Sequence, residues 1–181
     1  MEKETKSLDE DLLEACRRGN FAKAEEAIKE GANVDVEDKY GKTPVIIVSE
    51  YGYKDILELL IKNKTNINKQ DVKGYTALMY AVENASIFYA VSKEFTEIVK
   101  LLLDNGARVD IKNKNNETVF DILEKAQQYN PGEQISFVEI MKYSIDKKRN
   151  IKKIREMLQQ RLNETQQAKN KQENSKVHSY Q

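Results

Sequence analysis

The sequence contains few of the residues on which most catalytic and metal sites depend. Its 181 residues include no tryptophan, one cysteine, one histidine and two prolines. A single cysteine excludes an internal disulfide, and Cys16 with His178 supplies too few ligands for a cysteine–histidine zinc site. A histidine-assisted nucleophile would have to use His178, which lies in a polar stretch near the end of the chain. We therefore expect no enzyme activity, no metal and no cofactor.

Long apolar runs are also missing. No segment approaches the roughly 20 consecutive apolar residues that a membrane-spanning helix needs. The first 20 residues are acidic and polar, without the basic start and apolar run of a secretory signal. We expect an intracellular protein, and a cytoplasmic location is the simplest.

The charge is balanced in total but divided unevenly along the chain. Residues 1–141 hold 19 Lys and Arg against 26 Asp and Glu, a net charge of −7. Residues 142–171 hold 10 Lys and Arg against three acidic residues, a net charge of +7. Because the two parts have opposite signs, we expect them to attract each other.

A repeat with a period of 33 residues runs through the acidic part. The pattern Asp-x-x-Gly-x-Thr at 38–43 recurs at 71–76. The next matching threonine is Thr118, 42 residues after Thr76, so the third unit carries about nine extra residues. Such a period is typical of repeat proteins, in which each unit buries its apolar face against its neighbours.

At these residues the chain resembles the ankyrin repeat family. The second unit, DKYGKTPVIIVSEYGYKDILELLIKNKTNINKQ, has the family's turn, TPL-type opening helix, outer helix with paired leucines and GADVN-type exit. The resemblance implies an all-α solenoid of helix-turn-helix units with short β-turn fingers, without catalytic function. It covers residues 8–143, and we predict four repeats at about 8–37, 38–70, 71–112 and 113–143, of which the fourth is degenerate.

Two local features of the repeats carry predictions of their own. Thr43 and Thr76 precede short apolar helices, where a hydroxyl can accept a hydrogen bond from a free backbone N–H. Lys64 stands where the other exits have Gly31 and Gly106. A non-glycine residue in the left-handed conformation costs about 1–2 kcal/mol, so we expect this junction to be looser.

Ankyrin repeat proteins bind protein partners through turn tips and inner-helix positions on their concave side, and the resemblance implies the same here. The corresponding residues, which we call the concave surface, are Arg17, Arg18, Lys39, Tyr40, Lys42, Glu50, Tyr51, Val72, Lys73, Tyr75, Glu83, Asn84, Lys114, Asn115 and Glu117. Tyrosine and arginine contribute much of the binding energy at protein interfaces. Each tyrosine could instead pack only against the adjacent turn.

The extra residues of the third unit lie between its two helices, at about 86–93. This stretch is apolar and lacks glycine and proline, so it predicts an extended helix or an added turn. Two roles stay open at this point. Ile87, Phe88 and Tyr89 could pack locally on the solvent side, or the segment could protrude beside the concave surface and contact a partner.

The carboxyl-terminal part predicts a basic amphipathic helix over 144–168 and a disordered polar tail over 169–181. Ile151, Ile154, Leu158 and Leu162 share one face of that helix. The surrounding basic residues, which we call the basic patch, are Lys147, Lys148, Arg149, Lys152, Lys153 and Arg155. Because a solenoid needs a terminal unit with a polar outer face, the helix could cap the repeats. It could also bind a membrane surface, a nucleic acid or a protein.

These features favour a monomeric scaffold that binds a protein partner through the concave surface. The alternative is a module that the basic patch recruits to an anionic membrane or nucleic acid. Nucleic acid is the less favoured of these, because Tyr143 is the one aromatic residue near the basic patch on which a base could stack. A purely structural role would predict no saturable partner.

Overall fold

The computed structural model describes residues 7–87, 92–128 and 137–178. The helices are α1 (Leu8–Arg18), α2 (Phe21–Lys29), α3 (Pro44–Tyr51), α4 (Lys54–Lys62), α5 (Ala77–Ile87), α6 (Ser92–Asp104), α7 (Val119–Gln128) and α8 (Phe137–His178). Within these ranges the regular secondary structure is entirely helical, which confirms the predicted all-α class.

Local sequence sets the ends of these helices. The Ser7 side chain accepts a hydrogen bond from the Glu10 N–H at the start of α1, and Gly19 ends α1 in the left-handed conformation. Pro44 occupies the first turn of α3, where its missing N–H costs nothing, and Gly52 ends this helix. The inner helices α1 and α3 therefore end sharply, and the outer helices α2 and α4 follow them at once.

The helices pack in two layers that advance from repeat to repeat. The inner helices α1, α3, α5 and α7 contact one another in chain order, and so do the outer helices α2, α4 and α6. One continuous apolar cluster runs through all the predicted repeats and contains fully buried side chains such as Leu12, Ile46, Leu60, Met79 and Leu102. This arrangement is the predicted solenoid.

Helix α8 covers the carboxyl-terminal end of the stack. It contacts α5, α6 and α7, and Ile151, Ile154 and Leu158 are buried in the same apolar cluster. Leu162 is half-buried against it. The cluster would otherwise be open to water at this end, so the helix acts as a cap.

Helix α8 extends beyond the predicted bounds in both directions. The sequence predicts the end of a repeat at 143, a separate helix over 144–168 and disorder from 169, whereas the structure has one helix from Phe137 to His178. Its last part, from residue 169, carries few apolar residues, and before it the Gln160 amide donates to the Glu164 carboxylate along the helix. Lys169 Nζ also lies 4.0 Å from Asp110 Oδ2, at the exit of the third repeat.

The insertion of the third repeat is described only at its two ends. Helix α5 runs to Ile87, three residues longer than α3, and α6 begins at Ser92. Phe88 and Tyr89 lie outside the described residues, so both roles considered for this segment stay predictions.

The local predictions for Lys64 and for the two threonines before the inner helices have different outcomes. Lys64 adopts the left-handed conformation, with φ +63°, as its position after α4 predicts, and the looser junction expected there stays a prediction. The Thr76 hydroxyl accepts a hydrogen bond from the Met79 N–H at 3.3 Å, as predicted. The same prediction is wrong for Thr43, whose hydroxyl is buried without a partner among the described residues.

Candidate functional site

Three hairpin-like fingers, residues 38–42, 71–75 and 113–117, connect the repeats. The backbone closes each finger, because the N–H of its first residue donates to the carbonyl of its last, at 2.9–3.0 Å. The side-chain oxygen of the first residue, Asp38, Asp71 or Asn113, accepts two further backbone N–H groups inside the same finger. This internal bonding fixes the shape of each tip without help from the helices.

The fingers also bond to one another. The Val72 N–H donates to the Tyr40 carbonyl at 3.0 Å, and the Lys114 N–H donates to the Lys73 carbonyl at 3.0 Å. Gly41 and Gly74 lie at the closest approach, both with positive φ. The three tips thus form one row of fixed backbone, from which the side chains project.

The structure leaves all fifteen residues of the concave surface at least partly exposed. Tyr40 and Tyr51 are each 54% exposed and Val72 is 51% exposed. These are the three most exposed of the large apolar or aromatic side chains that reach the surface among the described residues. Tyr40 and Val72 lie at adjacent tips, and Tyr51 stacks on Tyr53 with ring centroids 6.0 Å apart.

Ion pairs tie several of the predicted residues to the scaffold. Arg17 Nη2 lies 3.0 Å from Asp38 Oδ2 and joins α1 to the first finger. Lys42 Nζ lies 2.6 Å from Glu50 Oε2, and Lys125 Nζ bonds Glu117 Oε1. A further 2.7 Å hydrogen bond from the Asn84 amide to the Glu50 carbonyl links α5 to α3. These residues define the surface but are already partnered.

Tyr80 is a member of this site that the sequence analysis missed. Its hydroxyl donates to Asp71 Oδ2 at 2.7 Å, and its ring lies 5.0 Å from the Tyr75 ring. The Lys42 ammonium lies 4.6 Å from the centre of the Tyr80 ring, within cation–π distance. The signal in the sequence was a tyrosine 33 residues after Ile47, at a position that is apolar in the second repeat.

A cleft of about 440 Å³ opens between the second and third fingers. Its lining residues are Val72, Lys73, Tyr75, Tyr80, Glu83, Lys114 and Asn115. Burial raises the pKa of the Glu83 carboxyl, Lys73 opposes this shift, and the charges of Glu50 and Glu117 add to it. Burial also raises the pKa of Tyr75, and the charge of Glu83 contributes to that shift. The cleft is therefore a partly desolvated, mixed polar and aromatic environment.

A second cleft, of about 830 Å³, lies at the amino-terminal end of the row. It is lined by the start of α1 and by the first finger, and its polar residues are mostly acidic: Asp9, Glu10, Glu14, Glu37 and Asp38. Arg17 and Lys39 are its basic members, and Arg17 is paired with Asp38. This cleft extends the concave surface beyond Tyr40.

No group of three or more potential ligands among His, Cys, Asp and Glu is close enough to hold a metal ion within 7–87, 92–128 and 137–178. Cys16 is buried, and burial raises the pKa of its thiol to about 12, so it stays protonated and unreactive. Those ranges also contain no helix that is long and apolar enough to cross a membrane.

The basic patch lies on the outer side of α8. Lys148, Arg149, Lys152, Lys153 and Arg155 are exposed, whereas the Lys147 side chain lies outside the described residues. Arg155 Nη1 is 3.8 Å from Glu124 Oε1 of α7, an ion pair between the two oppositely charged parts of the chain. The patch thus lies on the exposed side of α8, away from the apolar cluster.

Comparison with known proteins matches the repeats. A family model described as ankyrin repeats, in three copies, matches residues 12–113. The rat protein "Ankyrin repeat and SAM domain-containing protein 6" is 35% identical over 115 residues, which are 62% of this chain and 12% of that protein. The potassium channel AKT2/3 of Arabidopsis thaliana is 28% identical over 133 residues, and the match covers 61% of this chain and 17% of the channel.

A third relative is the putative ankyrin repeat protein L92 of Acanthamoeba polyphaga mimivirus. It is 31% identical over an alignment of 123 residues, and the match covers 63% of this chain and 27% of that protein. The chain therefore spans only a small part of each of these relatives. Their names describe different proteins: a SAM domain-containing protein, a potassium channel and a putative ankyrin repeat protein. What they share is the repeat itself, and the chain belongs to the ankyrin repeat family.

Proposed function

We propose that the protein is a non-catalytic scaffold that binds a protein partner through the concave surface. Ankyrin repeats are in general protein–protein interaction modules, which supports the class of function. The observation that carries the assignment to this surface is the exposure of Tyr40, Tyr51 and Val72, each above one half. Exposed aromatic and apolar side chains on a fixed backbone are typical of the anchors of protein interfaces.

The scaffold around these anchors favours binding. The backbone hydrogen bond from Val72 to Tyr40 and the ion pair between Lys42 and Glu50 hold the tips in place before a partner arrives. A surface that is already ordered loses less conformational entropy when it binds. Its exposed lysines, Lys39, Lys73 and Lys114, lie at the rim of the row, where charge steers association more than it adds affinity.

The test compares two triple variants of the full chain in capture of partners from a lysate of the source cells. The first variant, Tyr40→Ser with Tyr51→Ser and Val72→Ser, removes the exposed anchors without touching a buried residue. The second, Lys148→Ser with Lys152→Ser and Lys153→Ser, removes charge from the basic patch. Both are compared with the wild type at about 150 mM salt, after circular dichroism has shown unchanged helicity.

We expect the first variant to lose the captured proteins and the second to keep them. The opposite result would assign the function to the basic patch and contradict the proposal. Removing α8 is not a suitable test, because Ile154 and Leu158 are fully buried and their loss would expose the apolar cluster.

Binding of an anionic surface by the basic patch is the second candidate. The observation in its favour is that Lys148 and Lys153 are exposed on α8 with no ion pair to another described residue. Attraction to phosphate or lipid headgroups weakens steeply with salt. Co-sedimentation with vesicles that contain phosphatidylserine, at low and at physiological salt, distinguishes this candidate from the first.

A further inference from the structure

The second, third and fourth repeats share a pair of positions eight residues apart, one at the end of the finger and one near the end of the inner helix. In the second repeat these are Lys42 and Glu50, which form an ion pair at 2.6 Å. In the fourth they are Glu117 and Lys125, which form the same ion pair with the charges exchanged. The fold thus places an acidic and a basic side chain together at this point in the second and fourth repeats, with their two positions exchanged.

The third repeat breaks this pattern. Its pair is Tyr75 and Glu83, so the acid is present and the base is replaced by tyrosine. Among the described residues, the Glu83 carboxylate has no hydrogen bond and no ion pair, although it is half-buried in the 440 Å³ cleft. Lys73 lies on the same cleft but does not pair with it. A half-buried carboxylate without a directly paired cation is unfavourable, and an incoming cation that pairs with it would reduce that cost.

The walls of the cleft suit a cation with an apolar stem. The Tyr75 and Tyr80 rings lie 5.0 Å apart beside Glu83. The Tyr80 ring already accepts one cation, since the Lys42 ammonium lies 4.6 Å from its centre. Tyrosine faces attract ammonium and guanidinium groups, and the methylene stems of lysine and arginine pack against aromatic rings.

We propose that this cleft receives one basic side chain of the protein partner, with its charge on the Glu83 carboxylate and its stem against Tyr75 and Tyr80. Arginine is favoured over lysine, because its planar guanidinium can pair with a carboxylate and stack on a ring at the same time. The exposed ammoniums of Lys73 and Lys114 at the rim disfavour a polybasic segment and favour an acidic residue next to the basic one. This inference rests on the proposed function of the concave surface.

The experiment selects peptides from a phage-displayed library of random sequences on the full chain. Clones that the Tyr40→Ser, Tyr51→Ser and Val72→Ser variant fails to bind are synthesised, and their affinities are measured by fluorescence anisotropy. We expect one arginine or lysine at a constant position. Replacing it with norleucine should weaken binding about tenfold, the effect of one charge-assisted hydrogen bond.

Glu83→Gln should weaken binding of the parent peptide by a similar factor, and it should not weaken the norleucine peptide further. Glu58→Gln is the matched control, because Glu58 is an exposed carboxylate of the outer helix α4, away from the fingers. It should leave both affinities unchanged. A thermal melt of Glu83→Gln at or above the wild-type temperature shows that a loss of binding is not a loss of fold.

The outcomes separate the two proposals. Peptides that need Tyr40, Tyr51 and Val72 but carry no constant basic residue, or that bind Glu83→Gln as well as the wild type, would overturn the assignment of the cleft and leave the proposed function standing. A library that yields no binder to the concave surface would contradict the proposed function, and this inference with it.

Discussion

The second and third repeats have the same kind of finger, yet they differ at three equivalent positions. The second repeat neutralises its inner-helix acid with Lys42 and leaves the Thr43 hydroxyl without a partner among the described residues. It also has Lys64 in the left-handed conformation just after its outer helix. The third has Tyr75, a bonded Thr76 and Gly106 at those places. The repeat fold therefore tolerates local strain in one unit and an unpaired charge in the next. The strained positions are structural, whereas the unpaired charge faces a cleft.

The largest effects on stability should come from substituting the glycines at which neighbouring fingers approach most closely. An added Cβ at Gly74 would lie 2.8 Å from the Lys114 nitrogen and 2.9 Å from Asn113 Cα, both backbone atoms. At Gly41 the nearest atom, the Val72 nitrogen, would be 3.1 Å away. We expect Gly74→Ala to cost about 3 kcal/mol of unfolding free energy and Gly41→Ala about 2 kcal/mol, both from left-handed strain and the first also from crowding. Urea unfolding measures both, and equal losses would contradict the difference.

The exits of the two outer helices should respond in opposite directions. Lys64→Gly should stabilise the protein by about 1 kcal/mol, since it relieves a left-handed non-glycine residue. Gly106→Ala should destabilise it by a similar amount, because φ is +93° although the space around an added Cβ is open. Urea midpoints of the two variants test this. A Lys64→Gly protein no more stable than the wild type would show that the surrounding turn has already absorbed the strain.

Thr43 and Thr76, which precede the inner helices, allow a matched pair of variants with smaller expected effects on stability. Thr76→Val removes the hydroxyl that accepts from the Met79 N–H and should cost about 1 kcal/mol. Thr43→Val removes a buried hydroxyl that bonds no other described residue and should be neutral or stabilising. Thermal melts of both variants are compared, and a larger loss at Thr43 would reveal a bond that the hydroxyl makes in solution.

Replacing Glu50 and Glu83, the acids at equivalent inner-helix positions, should change stability least, and in opposite directions. At neutral pH Glu50→Gln should cost up to about 1 kcal/mol through the loss of the Lys42 ion pair. Glu83→Gln should raise the melting temperature, because it removes a half-buried charge that Glu50 and Glu117 disfavour and Lys73 offsets only partly.

The pH dependence of the melting temperature tests the sign of the Glu83→Gln effect. Since folding raises the pKa of Glu83 above its ordinary 4.5, the penalty is absent at pH values below 4.5 and develops as the pH rises through the raised value. Wild type and Glu83→Gln should therefore melt at similar temperatures near pH 4 and diverge toward pH 7. A gap that widens toward acid would contradict this account.

Much of the fold follows from the period of the sequence. The recurrence of 38–43 at 71–76 locates the fingers, and Lys64 in a glycine position predicts its own positive φ. The period cannot predict side-chain partners. Thr43 and Thr76 occupy the same position, yet only Thr76 bonds the helix, because rotamer and local packing decide whether a hydroxyl reaches the N–H.

The carboxyl-terminal helix shows a different limit of sequence analysis. A boundary at 143 comes from the length of a repeat, but helix formers continue on both sides of it and α8 does not break there. The low apolar content of the last residues predicts disorder, whereas the helix continues to His178, with Lys169 Nζ 4.0 Å from Asp110 Oδ2. The apolar stripe of Ile151, Ile154 and Leu158 was visible in the sequence, but the surface it covers was not.

The candidate site could be predicted as a set of positions and not as a set of interactions. The family pattern identifies the tips and inner-helix positions, and all of them reach the surface. Which of them are already paired depends on neighbouring repeats. Glu50 and Glu83 are the same residue type at the same position, and only the exchange of Lys42 for Tyr75 distinguishes the neutralised acid from the one that is left for a partner.

The most direct test of the central claim is site-specific photo-crosslinking of the full chain in cells of the source organism. The photoreactive amino acid p-benzoylphenylalanine replaces Tyr40 or Val72 at the finger tips in two variants, and the exposed Glu58 of α4 in a third. The account predicts that a protein is crosslinked from Tyr40 and Val72 and not from Glu58. Crosslinking from Glu58 alone, or the same product from all three positions, would show that the finger tips are not the binding surface.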